Sequence, residues 1–484
     1  MKRIRYELTG GLEEMDLKSI RAQVLMVLDR VGVECPHERT LNRLSGDRGI
    51  RVEGNRVHFS PGLVERTMED FRHAGPGREV PDEVTVAGPW NCFNIEDLDT
   101  GRVRASTADD VRAMFKLLGA AGGGPVMLGA VRGGPVSPVF PTDIAGPLQV
   151  LFVEKAGIEL TGTNGSLLEF GDERMEELAI EMHKAAGRRY RMMIEFPISP
   201  LKFNPRGLDK IWRYKDRSDI DLYAAAAPIP QAGATAPRVL PGGIVQSVAE
   251  TFAGAITVDR IAEGRIPVRP EFRLEISDLR HMTLAFGGAP EYLVTQMAVR
   301  DVYRHFTGNP RIECCFQSNA KRCDMQAMMD KTAWVIVHAL GGFRDFWFGA
   351  GQLSMDEVFS PAQFVVDHEL GRYATRLVRG VAYDDAPDAA FRVIAGAAPG
   401  GDYLTHETTI EALGDLFESD LFPRTSVDQW RAAGEPDLRS RAAAKARALI
   451  AKHEYRLDEK VRRELDRLWE KAKEMARDSD GHRA

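Results

Sequence analysis

The sequence has few cysteines, no surplus of positive charge and no long apolar run. Its five cysteines in 484 residues include an adjacent pair, Cys314 and Cys315, but no Cys-x-x-Cys spacing. That excludes a disulfide-stapled scaffold or a zinc ribbon and points to a reducing, cytoplasmic setting. The formal charge of −7, with Lys and Arg interspersed among Asp and Glu, leaves no basic stripe on which a nucleic acid would lie. No apolar stretch approaches the roughly 18 residues of a membrane span, and "MKRIRYELTGGLEEMD" has a basic tip without an apolar leader segment. Several chemical signatures are missing too. There is no Gly-x-Gly-x-x-Gly after an early strand, no phosphate-binding loop, no Gly-x-Ser-x-Gly elbow, no His-Glu-x-x-His helix and no Asp-x-Asp-x-Asp-Gly loop. Dinucleotide binding, serine-hydrolase chemistry and a catalytic zinc or calcium site therefore have no foothold, and no metal ligands are expected.

What is present is a rhythm. Residues 1–120 read as a mixed α+β extension: "EEMDLKSIRAQVLMVLDRVGV" carries apolar residues at helical spacing, and "GIRVEGNRVHFS" alternates about a Gly-Asn turn as a small hairpin does. From residue 121 to 425, short apolar runs alternate with amphipathic helices. The runs are "PVMLGAV", "GIELTGT", "RYRMMIEF", "DIDLYAAAAPI", "RIPVRPEF", "RIECCFQ", "FRDFWFGAG" and "GGDYLTH", each followed by a helical pattern. Eight such units without a nucleotide-binding first turn predict an α/β fold of the closed (β/α)8 TIM-type barrel class. Residues 426–484 predict a helical tail, with Leu457, Val461, Leu465 and Leu468 on one face.

In such a barrel, catalytic groups gather at the C-terminal strand ends and the loops that follow. Read in order, those positions hold Arg132, Asn164, Glu195, Gln231 with Thr235, Glu271, Gln317 with Asn319 and Lys321, the run Phe346-Trp347-Phe348, and Tyr403 with His406. The stretch "PIPQAGATAPRVLPGG" after the fourth strand spares side-chain bulk: Gly233 and the alanines leave backbone free to approach something large, and Pro237 and Pro241 stiffen the path. Each position also has a structural reading. The aromatic run can pack between barrel and helices, Glu195 and Glu271 can pair with Arg191, Arg269 or Arg273, Gln317 and Asn319 can cap loops, and His406 can be an ordinary hydrogen-bonded histidine.

Several ordered motifs, "QAGATAPRVLPGGIVQSVAETFAG", "SNAKRCDMQA", "FSPAQFVVDHEL", the glycines before "DYLTHETT", and "LIAKHEYRLDEKVRRELDRL", together resemble the trimethylamine methyltransferase family, the corrinoid-dependent methyltransferases of methylated and quaternary amines. The resemblance extends over most of the chain. It implies transfer of a methyl group from a quaternary or methylated amine of the betaine type to the Co(I) of a corrinoid carried by a separate small cobalamin-binding protein. It also frames the candidate roles: Glu195, Gln317 and His406 as catalytic residues, Glu271, Asn319, Phe346, Trp347, Phe348 and Tyr403 around the substrate, and Gln231, Gly233 and Thr235 toward the corrinoid. A homo-oligomer is expected. Two departures stand out, since Asp402 and Thr408 occupy positions where the family pattern has histidines. No pyrrolysine is present between Glu313 and Asn319, which argues against trimethylamine itself. Two other readings stay open: a barrel enzyme of this family with a different methyl donor or a cobalt-free reaction, and a non-catalytic ligand-binding barrel.

Overall fold

The computed structural model describes residues 2–74, 80–89, 92–121, 140–162, 172–310, 312–397 and 399–481. Two parallel three-stranded sheets organise these residues. In the first, Ile220–Ala226 lies between Tyr190–Glu195 and Val268–Pro270. In the second, Phe343–Phe348 lies between Ile312–Cys315 and Thr85–Val86. Parallel strands require crossovers of a dozen or more residues. Three helices between paired parallel strands meet that requirement: Pro205–Tyr214, Gly242–Ala262 and Met325–Leu340. A fourth, Pro361–Val378, follows Phe343–Phe348. The strand of the fourth sequence run is short-side-chained where it pairs, with Ala224, Ala225 and Ala226 fully buried. Small residues there let the helix Gly242–Ala262, buried on nearly every face, lie close over the sheet.

The fold class is mixed α/β, but among the described residues the strands do not close into a barrel. Three expectations change or fall outside. "GIELTGT" is not a strand: residues through Thr161 complete the helix Gly146–Thr161, which ends on Gly162 in the left-handed region. That helix is buried on most of its circumference, so it lacks the polar stripe that separates a helix from a buried strand by period alone. "GGDYLTH" is not a strand either. Asp402–His406 is turn and coil, with Leu404 79 % exposed, and offers no pairing edge. "PVMLGAV", Arg132 and Asn164 lie outside the described residues, as does the side chain of Trp347.

The extension is woven into the same core. Its hairpin, Ile50–Glu53 with Arg56–Phe59, turns at Gly54 with φ +62°. Leu28, Val57 and Phe59 join one apolar cluster with Val248 and Phe252 of the helix Gly242–Ala262. The extension also contributes Thr85–Val86, a parallel neighbour of Phe343–Phe348. At the other end, Leu465, Leu468 and Ala472 of the helix Glu459–Gly481 are buried in that cluster as well. Among the described residues no helix is long and apolar enough to cross a membrane.

Candidate active site

A cavity of about 430 Å³ opens where the two parallel sheets face each other. Glu195, at the end of its strand, and Arg269 with Pro270 come from the first sheet; Glu313, Cys314, Cys315 and Phe348 come from the second. The segment Glu271–Glu275 follows Val268–Pro270 and supplies Glu271, Phe272, Arg273 and Glu275. One wall is a helix face, with Tyr292, Gln296, Val299 and Tyr303 at helical spacing on Pro290–Thr307. Gln231, Gln317 and Asp356 complete the polar lining.

The charges are unbalanced. Five carboxylates, Glu195, Glu271, Glu275, Glu313 and Asp356, line the cavity against two arginines, Arg269 and Arg273. Both arginines are already engaged. Arg273 donates to Glu271 at 2.6 Å, and Arg269 lies 3.5 Å from Glu271 while also pairing with Glu313. The Arg269–Glu313 pair joins the facing edges of the two sheets. Burial works against the Glu271 charge, but Arg273 and Arg269 outweigh it and hold this carboxyl below its ordinary range.

Glu275 and Asp356 sit differently. Burial raises the Glu275 carboxyl, and only the Tyr292 hydroxyl and the more distant Arg273 pull the other way. Its Oε2 is cut off from solvent and has no hydrogen-bond partner. Asp356 is pushed up to about 7, chiefly by burial, with Glu275 adding to the rise and Gln317 and Lys331 opposing it. The Gln317 side-chain nitrogen donates to both Asp356 oxygens, at 2.7 and 2.6 Å. Ser354, Met355 and Asp356 have φ of +54°, +55° and +75°, three successive non-glycine residues in the left-handed region, each costing roughly 1–2 kcal/mol.

The ends of the second sheet are fixed by a buried ion pair. Lys331 Nζ donates to the carbonyls of Phe316 and Gly349 and to Asp367 Oδ2 at 3.0, 2.7 and 2.7 Å, and the Gly351 amide donates to the same Asp367 oxygen at 2.7 Å. Burial pushes the lysine down and the aspartate up, each partly offset by the other. This clamp holds the start of the loop that leads to Asp356.

The structure gathers Glu195, Gln231, Glu271, Gln317 and Phe348 around the cavity. Asn319 instead braces its rim: it accepts from the Phe286 amide and donates to the Leu284 carbonyl, at 2.9 and 3.0 Å. Lys321 donates to the Asn319 carbonyl. Phe346 packs in the core against Phe316, with centroids 5.4 Å apart. It does not share Phe348's direction, because pairing with the neighbouring strand shifts register between Cys314 and Cys315, opposite Phe346 and Phe348. That bulge breaks the two-residue alternation the sequence suggests. Gly233, with φ +96°, and Thr235 form a tight turn beside Gln231: the Gln231 carbonyl accepts from the amides of residues 234, 235 and 236, and the Gln231 amide donates to the Thr235 hydroxyl at 2.9 Å. Tyr403 and His406 are not brought to the cavity. Their rings lie 6.0 Å apart in an exposed segment, where His406 Nδ1 caps a short helix by accepting from the Thr408 amide.

Sequence reasoning missed Glu275, Tyr292, Glu313 and Asp356. Tyr292 lies on a helical stripe with Gln296, Val299 and Tyr303, a pattern that marked that face for burial; nothing in "SMDEVF" marks the backbone that turns Asp356 inward. Among the described residues no group of three or more His, Cys, Asp or Glu side chains is arranged to hold a metal ion.

An acid-rich, aromatic-lined cavity at the ends of parallel strands occupies the place where α/β folds bind small molecules. The family model for trimethylamine methyltransferase (MTTB) matches residues 4–476. The chain belongs to the trimethylamine methyltransferase family and is a methyltransferase. Similar proteins include the trimethylamine methyltransferase MttB of Desulfitobacterium hafniense, 23% identical over 464 residues covering 91% of this chain and 89% of the relative. An L-carnitine:corrinoid methyltransferase of Eubacterium limosum is 22% identical over 460 residues, 88% and 90% of the two chains. A proline betaine:corrinoid methyltransferase of the same organism is 25% identical over 457 residues, 90% and 92% of the two chains.

Proposed function

We propose that this protein moves a methyl group from a quaternary ammonium compound of the betaine type to the Co(I) of a corrinoid borne by a separate small protein, in the cytoplasm. The observation that carries the reading is the cavity's surplus of carboxylates beside aromatic rings, Phe286, Tyr292 and Phe348. A quaternary nitrogen has no N–H to donate, so aromatic faces and carboxylates are the groups that can hold it. The relatives, named for corrinoid methyltransfer from carnitine and proline betaine, support the same chemistry.

The corrinoid enters as a co-substrate and brings the nucleophile; the amine leaves neutral and needs no proton from the protein. What remains for the chain is positioning and the exclusion of water. Gln317 orients Asp356, the arginine–glutamate network fixes the wall between the sheets, and the aromatic side chains fill the space around the methyl groups. The turn at Gln231–Ala236, exposed and free of bulky side chains at Gly233 and Ala234, suits the approach of a macrocycle.

The same reading includes a (β/α)8 barrel at residues 121–425 between an extension at 1–120 and a helical segment at 426–484. The two parallel sheets meeting through Arg269 and Glu313, with one cavity between them, support the barrel. Exposed Phe391, Ile394, Leu404, Leu413 and Leu416 support self-association. The test is transfer: with chemically reduced cobalamin and a panel of quaternary amines, the cobalt(I) absorbance should fall as methylcobalamin appears, and no transfer from any donor would refute the reading.

A further inference from the structure

We propose that Glu275 and Asp356 together form the counter-charge that holds the cationic nitrogen of the methyl donor, while Glu271 serves the arginine network. This rests on the reading above that the donor is a quaternary ammonium ion. The geometry separates the carboxylates into two sets. Glu271 is bound to Arg273 and Arg269, Glu313 to Arg269, and Glu195 acts on Arg273. Those contacts spend the positive charge of the cavity wall. Among the described residues Glu275 and Asp356 have no arginine or lysine in salt-bridge contact, and Glu275 raises the cost of ionising Asp356.

Glu275 is 7 % exposed, lines the cavity and carries the unpartnered Oε2. With no donor on that oxygen, little inside the protein offsets a negative charge on Glu275, and a cation in the cavity can do so through its field. A quaternary ammonium, with charge spread over its methyl hydrogens and no hydrogen bond to offer, is the ligand that matches a carboxyl group lining the cavity without an arginine or lysine partner, beside Tyr292 and Phe348. Asp356 is delivered by a strained backbone and held by Gln317 through both oxygens. Strain of that kind persists only where surrounding contacts impose it, here the Gln317 clamp and the Lys331–Asp367 anchor upstream.

The groups facing this pair are Arg273, Tyr292, Gln317, Cys92, Cys315 and Lys331, of which the two cations act at a distance and not in salt-bridge contact. Cys315 stays a neutral thiol, raised by burial and by Glu275.

The experiment measures binding and transfer separately. Isothermal titration calorimetry with choline, tetramethylammonium and glycine betaine, and with the neutral isostere 3,3-dimethylbutan-1-ol, is run on the full chain and on Glu275→Gln, Asp356→Asn and the double variant. The wild type should bind at least one of the cations more tightly than the neutral alcohol by about tenfold or more, equivalent to about 1.4 kcal/mol. In the double variant that preference should shrink to within about twofold while the alcohol binds as before, which also shows an intact cavity. Glu271→Gln should leave more of the preference than Glu275→Gln does. A cation preference unchanged in the double variant, or no cation binding to the wild type, overturns the proposal. Cation binding that depends on Glu275 and Asp356 without any methyl transfer to reduced cobalamin would sustain it and refute the methyltransfer reading instead.

Discussion

Replacing Asp367 by Asn should destabilise the protein by about 3–5 kcal/mol, the usual cost of leaving one member of a buried ion pair without its partner. The size follows from the contacts. Lys331 and Asp367 are both 0 % exposed. Asp367 Oδ2 accepts from Lys331 and from the Gly351 amide, and Oδ1 accepts from Gln363. An asparagine must turn its NH2 toward one of these donors, so a hydrogen bond becomes a repulsion while the ammonium loses its counter-charge. The paired change Lys331→Met with Asp367→Leu should recover most of the loss, because apolar side chains of similar volume replace buried ion pairs at little net cost. Urea unfolding at equilibrium, followed by tryptophan fluorescence, measures both. Because the pair anchors Gly349 and Gly351 ahead of Asp356, the single variant should also raise KM for the amine more than it lowers kcat. A single variant that loses less than about 1 kcal/mol, or a double variant no better than the single, would refute the reasoning.

Gly349, at φ +116°, packs a would-be Cβ against the Phe316 carbonyl, so Gly349→Ala should cost more than the roughly 1 kcal/mol of an unstrained glycine change and lower soluble yield; a thermal scan decides it. Cation binding should tighten with pH: Asp356 titrates at about 7, so its charged fraction rises from about a tenth at pH 6 to about nine tenths at pH 8, and affinity for choline should rise about ninefold, a slope absent from Asp356→Asn. His338, buried against Trp334 with ring centroids 4.1 Å apart, is held down to about 3 by burial. The unfolded chain takes up that proton near 6.5 and the folded chain does not, so stability falls as pH drops below about 6.5. By pH 5 this histidine's share of the loss should reach about 2 kcal/mol, which His338→Phe should remove in urea titrations while His368, held down to about 4 by burial, keeps the rest of the slope.

How far the sequence could be read depends on what each element uses to declare itself. The helix Glu173–Ala185 declares itself fully: Asp172 caps it by accepting from the Arg174 amide, Met175, Leu178 and Met182 are buried, and Gly187 follows with φ +70°. The helix Pro361–Val378 does the same through Ser360 and Pro361. The helix Gly146–Thr161 hides its end, because "GIEL" inside a buried helix has the β-branched, apolar look of a strand. Thr85–Val86 is only two residues long and takes its strand identity from Asp345 and Phe346 of its neighbour, so no local pattern reveals it. In the site, Glu195, Gln231, Glu271 and Gln317 were legible because strand ends point to a common mouth. Asp356 was not, since its place depends on a left-handed backbone and a distant amide. Family resemblance carried the reaction, which no spacing of residues supplies.

The most direct measurement is a single-turnover reaction of the purified chain with stoichiometric reduced cobalamin and a quaternary amine carrying 13C-labelled methyl groups, followed by NMR. The account predicts one labelled methyl on cobalt for each demethylated amine released, at a rate that collapses in the Glu275→Gln/Asp356→Asn double variant. Labelled amine recovered intact in the presence of active cobalt(I), across the donor panel, would contradict it.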